Sequence, residues 1–235
     1  MITQKKNNVG VILSSNFNII TDDMIDSLIK LKVDKIIVSL DGANQKSYSA
    51  YRKGGDFNRV INNIKKLLKR KHELNSKKPT IIWQYLINNK NIKLVKKAKK
   101  TAKKLGIKIR FEKFQISQEI VRRGQIIDKN IVNEWVPKYL RKDPKNYLFV
   151  TKKPCKSLWK TLVINSDGSV SPCCAIYDSK NDFDNILKNS LKKIWNNSNF
   201  LSARSIFSNK KYYSKKKTIC HSCSSANELK EIKIK

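Results

Sequence analysis

Hydrophobic positions in the first half of the chain follow two patterns that alternate. Short runs rich in β-branched residues predict strands, which lie at Val9–Ser15, Lys35–Leu40, Thr80–Leu86 and Ile107–Phe111. Between these runs, apolar residues recur every three or four positions, with Lys and Asn on the other side, which predicts amphipathic helices. Strands that alternate with helices are typical of parallel βα units. The pattern therefore predicts an α/β fold.

The predicted sheet is smaller than a complete βα barrel. Eight strands with their helices need about 250 residues, whereas the alternating pattern occupies residues 1–115. Only eight residues precede Val9, so we expect no further βα unit upstream of the first strand. The expected architecture is a partial parallel (βα) barrel of about four strands.

The alternation stops after Phe111, and the composition changes further along the chain. Residues 116–150 have the pattern of a connector, with two prolines and one predicted helix near Asn130–Leu140. All five cysteines lie beyond this connector, at Cys155, Cys173, Cys174, Cys220 and Cys223. We therefore predict a second, small cysteine-rich module over residues 151–235.

The spacing of the cysteines indicates metal ligands. Cys220 and Cys223 form a CxxC pair, in which two thiolates can hold one ion or one edge of a cluster. An Asp-Gly turn at residues 167–168 predicts a hairpin, which would bring Cys173 back beside Cys155. Cysteines clustered in this way are typical neither of intracellular disulfides nor of scattered buried thiols. The sequence therefore predicts a four-thiolate site.

Four thiolates suit both structural Zn²⁺ and an iron–sulfur cluster. Zinc ribbons usually have two CxxC pairs, whereas seventeen residues separate Cys155 from Cys173. The residues therefore favour iron–sulfur and leave zinc open as the alternative. We expect Trp159 and Trp195 to be core aromatics of this module. We expect His221 to lie next to the site without being a ligand.

Charge is the most extreme feature of the composition. Lys and Arg number 51 against 18 Asp and Glu, which gives a formal net charge of +33 and a pI of about 10.1. Such a balance usually points to nucleic acid or another anionic surface. Here only eight of the basic residues are Arg, and Lys is spread over every predicted helix in a chain also rich in Asn and Ile. Because a biased genome composition produces the same charge, we do not favour a nucleic-acid partner.

Neither a membrane span nor a targeting segment is evident in the sequence. The longest apolar runs are far shorter than the roughly 18–20 residues that cross a bilayer, and the N-terminus lacks the layout of a signal peptide. Hydrophobic residues make up 40% of the chain, which is enough material for a packed core. We expect a soluble, cytoplasmic protein without a membrane partner.

Together these motifs resemble those of radical S-adenosylmethionine (AdoMet) enzymes that carry a SPASM/twitch auxiliary iron–sulfur domain. The pieces similar to the SPASM domain are Pro154-Cys155, Leu162–Cys174, Leu191–Asn196 and Cys220–Cys223. The pieces similar to the later part of a radical SAM barrel are Ser14–Asn16, Val38–Gly42, Tyr51–Phe57 and Gln84. The order and spacing of these pieces carry the resemblance, which covers nearly the whole chain.

The resemblance implies a ligand set for an auxiliary [4Fe-4S] cluster. The implied ligands are Cys155, Cys173, Cys220 and Cys223, with Cys174 left over. A shift of one residue would exchange the roles of Cys173 and Cys174, in which case Cys174→Ser would lose iron and Cys173→Ser would keep it.

The resemblance also implies an AdoMet site at the carboxyl ends of the strands. Ser39 and Arg52 would contact AdoMet, with the Arg52 guanidinium as a fork for a carboxylate. Asp41, Asn16 and Gln84 would complete the cofactor-binding site, because polar side chains at such strand ends can hold ribose, amine and carboxylate groups.

One departure from the family limits what the chain can do alone. Radical SAM enzymes hold their radical-generating cluster on a CxxxCxxC loop, and no cysteine precedes Cys155. The resemblance therefore implies the C-terminal fragment of an enzyme that abstracts hydrogen from a peptide or small-molecule substrate, with an N-terminal radical SAM fragment or subunit as its partner. We assign no catalytic residue and expect no AdoMet cleavage by the chain alone. The alternative is a basic zinc- or cluster-stabilised binding module that contacts nucleic acid or a partner chain.

Overall fold

The protein is divided into two compact units. The computed structural model describes residues 9–116, 128–143, 146, 155–176, 178–208 and 216–223. The first unit, here called the sheet unit, comprises Met1–Phe114 and Glu134–Tyr139. The second, here called the cysteine unit, comprises Gln115–Asn133 and Leu140–Lys235. The predicted domain limits, at residues 1–115, 116–150 and 151–235, stay predictions.

The sheet unit contains the parallel sheet that the sequence predicts. Its strands are β1 (Ile12–Ser15), β2 (Lys35–Ser39), β3 (Thr80–Ile87) and β4 (Lys108–Lys113), and they lie side by side in chain order. Every neighbouring pair is parallel. The predicted α/β fold class is therefore confirmed, with each strand within a few residues of its expected limits.

Helices connect the strands, and polar side chains cap the first three of them. They are α1 (Asp22–Lys30), α2 (Gln45–Tyr51), α3 (Phe57–Glu73) and α4 (Val95–Lys104), the last preceded by a 3-10 turn at Ile92–Leu94. The Thr21 hydroxyl accepts a hydrogen bond from the Met24 amide, and the Asp56 carboxylate accepts one from the Arg59 amide. Helix α2 was not predicted, because its sequence lacks apolar periodicity. A capping box between Asn44 and Ser47 starts it.

One face of the sheet packs against the helices to form the apolar core. Alternate residues of β2 and β3 are buried here with residues of α1, α3 and α4, among them Val38, Trp83, Ile25, Ile64 and Ala98. Complete burial of a valine or isoleucine side chain stabilises a fold by about 1.5–3 kcal/mol. The opposite face of the sheet carries polar and charged side chains near the carboxyl ends of the strands.

A helix also forms in the predicted connector, although it is shorter than expected. Helix α5 covers Lys129–Trp135, whereas the sequence pattern predicted a helix over Asn130–Leu140. Val136 lies directly before Pro137, and a residue in that position is disfavoured in the α conformation. The chain continues as a 3-10 turn at Lys138–Leu140.

The described residues of the cysteine unit form only short strands and helices. Its strands β5 (Val163–Ile164), β6 (Ser169–Ser171) and β7 (Asp184–Asn185) form a small antiparallel sheet, and its helices are α6 (Ser157–Lys160), α7 (Leu191–Trp195) and α8 (Ser198–Ser205). The predicted hairpin is present, and Gly168 takes the left-handed φ of +80° that its turn requires. A small core of Leu158, Val170 and Phe200 with a few neighbours supports the sheet.

The two tryptophans of the cysteine unit differ from expectation. Trp159 is 43% exposed and only meets the Phe207 ring edge-on, so its assignment to the core is wrong. It follows Leu158 in a helix of one turn, which can bury only one of two adjacent residues. Trp195 is half-buried, and the Arg204 guanidinium lies over its ring at 4.4 Å.

No helix in the described part of the chain is long and apolar enough to cross a membrane.

Candidate metal centre and cofactor site

Four of the five cysteines line one cavity in the cysteine unit. Cys155, Cys173, Cys220 and Cys223 lie around it, and the rest of its wall consists of Leu158, Pro172, Ile176, Phe207 and Ile219. These four cysteines are the predicted ligand set. The cavity therefore combines four sulfur donors with a wall of mainly apolar side chains.

Local structure explains how distant parts of the sequence reach the same cavity. Cys173 follows strand β6, and the hairpin returns the chain at this point, as the Asp-Gly turn predicted. Cys220 lies within a 3-10 turn at Ile219–Ser222, and the Cys223 amide donates to the Cys220 carbonyl at 3.1 Å. This tight turn brings the two thiols of the CxxC pair to the same side.

Cys174 and His221 lie beside the site but differ from the four cysteines. Cys174 is exposed and is not part of the cavity wall. His221 Nδ1 accepts a hydrogen bond from the Thr218 amide at 3.1 Å, so this nitrogen caps the 3-10 turn. His221, like Cys174, is not part of the cavity wall.

The chemistry of the four thiols fits an iron–sulfur cluster. None of the five cysteines, all of which are described, is in a disulfide. Within the described residues, no three His, Cys, Asp or Glu side chains converge closely enough to hold a single metal ion. Four cysteine thiolates are the usual ligands of a cubane cluster, and an apolar wall is the kind of surrounding that tunes its potential.

In the sheet unit, the predicted cofactor residues Ser39 and Gln84 are neighbours. They are register partners at the carboxyl ends of β2 and β3, so their side chains share one face of the sheet. Arg110 is the register partner of Gln84 on β4, and its Nη2 donates to Gln84 Oε1 at 2.6 Å. Arg110 Nε also pairs with Glu112 Oε1 at 2.8 Å. Ser39, Gln84, Arg110 and Glu112 form a polar row across the face of the sheet opposite the helices, here called the open face.

Asp41 and Arg52 form an ion pair beyond the end of β2. The Arg52 Nε donates to Asp41 Oδ2 at 2.8 Å, and the Leu86 amide donates to Asp41 Oδ1 at the same distance. The Asp41 side chain is 1% exposed, whereas that of Arg52 is 36% exposed. Burial raises the pKa of Asp41 above its ordinary value, and the Arg52 guanidinium opposes this rise.

Asn16 lies at the carboxyl end of β1 and is exposed. Its Oδ1 accepts a hydrogen bond from the Asn18 amide at 3.0 Å, which closes a local turn. The structure gives it no contact with Ser39, Gln84 or Arg52 among the described residues. Of the five predicted cofactor residues, the structure thus joins Ser39 to Gln84 and Asp41 to Arg52, and leaves Asn16 by itself at the same edge of the sheet.

Sequence reasoning missed several residues that belong to this edge. Arg110 and Glu112 extend the polar row, and Asn91 holds the segment around Asp41. The alternation of Lys108–Lys113 could have revealed the pair, because Arg110 and Glu112 fall on one face of that strand. Asn91 lies in a loop and gives no periodic signal.

The close approach of α2 explains why a glycine, Gly42, follows Asp41. A side-chain carbon at this position would lie 2.6 Å from the Tyr48 Cα in α2, which is closer than atoms can approach. Only glycine therefore lets α2 pack against the end of β2. Since Arg52 directly follows α2, this close approach helps to bring it to Asp41.

Comparison with known proteins identifies the cysteine unit. The SPASM family profile, described as an iron–sulfur cluster-binding domain, matches residues 155–224. This range contains all five cysteines of the chain. No curated protein matches the sequence.

Solved structures with the same fold are radical SAM/SPASM proteins. Streptococcus suis SuiB bound to precursor peptide SuiA is 13% identical with a TM-score of 0.54, covering 96% of this chain and 55% of that one. Native anSMEcpe with bound AdoMet and Kp18Cys peptide is 15% identical with a TM-score of 0.50, covering 86% of this chain and 62% of that one. Residues 155–224 thus match the SPASM domain family, and the chain shares its fold with these two solved structures. It spans a little over half the length of these relatives.

Proposed function

We propose that this chain forms the later barrel strands and the auxiliary-cluster domain of a radical SAM enzyme that acts on a peptide. The observation that carries the proposal is the single cavity around Cys155, Cys173, Cys220 and Cys223. When bound, a [4Fe-4S] cluster would supply a redox centre or a binding point for substrate. The four thiolates would hold it, and the apolar wall would exclude water from it.

Iron–sulfur is favoured over zinc by the composition of the site. Structural zinc draws its thiolates to about 2.3 Å from one ion, most often through two CxxC pairs. This chain has one CxxC pair, and apolar side chains such as Leu158 and Ile176 line the same cavity as the cysteines. The match to an iron–sulfur domain family supports the same choice.

The metal content of the purified chain tests this proposal. After anaerobic purification we expect about four iron and four sulfide per chain, with the Mössbauer spectrum of a cubane cluster. One tightly bound zinc with no sulfide would contradict it. A zinc-loaded sample prepared by refolding serves as the matched control, because it separates ligand geometry from metal preference.

We further propose that the carboxyl ends of β1–β3 bind AdoMet. Ser39 and Gln84 present a hydroxyl and an amide on one face of the sheet, and Asn16 adds a third polar group at this edge. The part-exposed Arg52 guanidinium would bind the carboxylate of AdoMet. Support comes from the fold, since anSMEcpe with bound AdoMet has the same fold. Equilibrium dialysis with labelled AdoMet tests the proposal, and absence of saturable binding would contradict it.

A peptide is the substrate class that the comparisons support. SuiB is bound to precursor peptide SuiA, and anSMEcpe is bound to Kp18Cys peptide. In this chain, Arg110, Glu112 and Gln84 offer hydrogen-bond donors and acceptors side by side on the open face of the sheet. Such a row suits the alternating N–H and C=O groups of a peptide.

The outer edge of β1 would dock an N-terminal radical SAM segment that carries the CxxxCxxC loop. All four residues of β1 are exposed, and Ile12 is 56% exposed. An apolar groove runs between β1 and α1, with Leu13, Met24 and Leu28 in its wall. Within the described residues β1 pairs only with β2, so its other edge can accept a parallel strand and an amphipathic helix.

The docking proposal is tested by altering the exposed edge. We expect the chain alone to bind a hydrophobic dye and to self-associate, and Ile12→Lys with Leu13→Lys to reduce both. Leu187→Lys, at an exposed leucine of the cysteine unit, is the control. Co-expression with the first strand, loop and helix of a radical SAM barrel should also suppress dye binding. A monomeric wild-type chain that binds no dye would contradict the proposal.

A further inference from the structure

We propose that Asp41 is a positioning residue, which holds the Arg52 guanidinium in place for a carboxylate ligand and does not touch that ligand itself. This assignment rests on the AdoMet site proposed above. It changes the role that the sequence pattern suggests for Asp41, from a cofactor contact to a support for one.

The Asp41 carboxylate is already occupied and enclosed. Its two oxygens accept hydrogen bonds from Arg52 Nε and from the Leu86 amide, each at 2.8 Å. Only 1% of the side chain is exposed. A ligand at the end of the sheet therefore cannot reach these oxygens, whereas Arg52 and the backbone of β3 can.

The Arg52 guanidinium, by contrast, faces outward with donors to spare. More than a third of the side chain is exposed, and among the described residues only Nε has a hydrogen-bond partner. The terminal Nη1 and Nη2 groups, which have no partner in the described part of the chain, stay available as donors to a ligand. These two groups have the geometry of a fork for a carboxylate.

Two further contacts restrict where this fork can move. The guanidinium carbon of Arg52 lies 5.5 Å from the centre of the Tyr51 ring. The Arg52 amide donates to the Tyr48 carbonyl at 2.8 Å, so its backbone is fixed as the cap of α2. The hydrogen bond to Asp41 and the contact with the Tyr51 ring thus both hold the guanidinium.

Asp41 is itself held by the end of β3. The side-chain amide of the fully buried Asn91 donates to the Asp41 carbonyl at 3.0 Å and to the Leu86 carbonyl at 2.7 Å. The Leu86 amide, on the same strand, donates to the Asp41 carboxylate. The carboxylate is therefore a fixed point, and a fixed charged acceptor is what orients a long arginine side chain.

The experiment compares two ligands on the anaerobically purified full chain. AdoMet carries the amino-acid carboxylate, whereas 5′-methylthioadenosine keeps the nucleoside and lacks that group. Affinities for both are measured by calorimetry for the wild type, Asp41→Asn, Arg52→Met and the double variant. Asp34→Asn is the matched control, because Asp34 pairs with Lys78 at the other end of the strands.

We expect Asp41→Asn to weaken AdoMet binding by about tenfold, the size of one lost charged hydrogen bond, and to leave 5′-methylthioadenosine binding unchanged. Arg52→Met should remove the preference for AdoMet altogether. Adding Asp41→Asn to Arg52→Met should have no further effect, since Asp41 acts only through Arg52. Asp34→Asn should leave both affinities at the wild-type level.

Several outcomes would overturn the assignment. If Arg52→Met loses the AdoMet preference and Asp41→Asn keeps it, Asp41 does not position Arg52. If Asp41→Asn weakens both ligands equally, its role is structural. Arg52→Lys leaves the buried Asp41 as it is. This variant keeps the positive charge but lacks the two terminal N–H groups of the guanidinium fork, so full AdoMet preference in it would also contradict the assignment. A wild-type chain that binds neither ligand contradicts the proposed AdoMet site itself, which is a distinct result.

Discussion

The sheet unit and the cysteine unit hold their shapes by different means. In the sheet unit, strands of four to eight residues pack their apolar face against long amphipathic helices. In the cysteine unit, strands of two or three residues surround a small core, and Cys155 and Cys220 pack against that core. Burial of apolar surface can account for the first unit. Because the core of the second unit is small, we expect its stability to depend on the group that its thiols bind.

This difference separates two parts of the proposed function. A rigid sheet is suited to hold polar groups in fixed positions at its carboxyl edge, as Ser39, Gln84 and Asp41 are held. A small unit organised by thiols is suited to fold around a cluster. We therefore expect removal of the cluster and damage to the apolar core to affect different halves of the chain.

Removal of the cluster should have the largest effect. Metal binding contributes of the order of 10 kcal/mol to the folding of small metal-dependent domains. After oxidation and chelation, we expect fast hydrogen exchange throughout residues 155–223 and unchanged protection in β2 and β3. Hydrogen exchange with mass spectrometry measures both regions in one sample. Equal loss of protection in the two units would contradict their independence.

A cavity in the core of the sheet unit should have the next largest effect. Ile64 in α3 is fully buried, and Ile64→Ala should lower the free energy of unfolding by about 2–5 kcal/mol. The neighbouring Lys65 is exposed, and Lys65→Ala should change it by less than about 0.5 kcal/mol. Urea unfolding followed by circular dichroism measures both. Iron content should stay at the wild-type level, and its loss in Ile64→Ala would show that the two units depend on each other.

A methyl group at Gly42 should disturb the sheet unit locally. Because α2 backbone fills the space, Gly42→Ala should destabilise the protein by about 1–3 kcal/mol and weaken AdoMet binding through Arg52. At Gly10 the nearest atom to an added carbon is an ordinary contact at 3.7 Å, so Gly10→Ala is the control. Melting curves and AdoMet titrations test the pair, and equal behaviour of the two variants would refute the packing argument.

The smallest predicted effect is a pH dependence at Asp34. Its hydrogen bond with Lys78, aided by the Val11 amide, holds the pKa of Asp34 below its ordinary value. A lowered carboxyl pKa stabilises the fold above the unfolded-state pKa and loses that effect as the pH falls through the folded-state pKa. Wild type should therefore melt slightly above Asp34→Asn at neutral pH, and the difference should begin to shrink as the pH falls below about 4. A constant difference down to pH 3 would contradict this.

The sheet unit could be predicted from the sequence because its physical causes are periodic. β-Branched runs marked all four strands, and the spacing of residues such as Ile64 and Leu67 marked the helices. Helix α2 escaped prediction because its cause is a capping box at Asn44 and Ser47. Trp159 was misjudged because the sequence does not tell which side of a single helical turn is covered.

Only those residues of the candidate sites that belong to short sequence motifs could be predicted. The CxxC pair and the Asp-Gly turn predicted a four-thiolate site, and the resemblance to SPASM domains implied the four cysteines that line the cavity. The contacts between Arg110 and Gln84 and between Asn91 and Asp41 join distant segments, and no local pattern announces them. For the same reason, the support that Asp41 gives to Arg52 became visible only in three dimensions.

The central claim is that Cys155, Cys173, Cys220 and Cys223 hold one [4Fe-4S] cluster. The most direct test compares the iron and sulfide content of Cys173→Ser with that of Cys174→Ser, because these adjacent residues receive the same substitution. We predict that Cys173→Ser loses the cluster and that Cys174→Ser, altered at an exposed residue outside the cavity, keeps about four iron per chain. Full iron in Cys173→Ser, or loss of iron in Cys174→Ser, would contradict this ligand set.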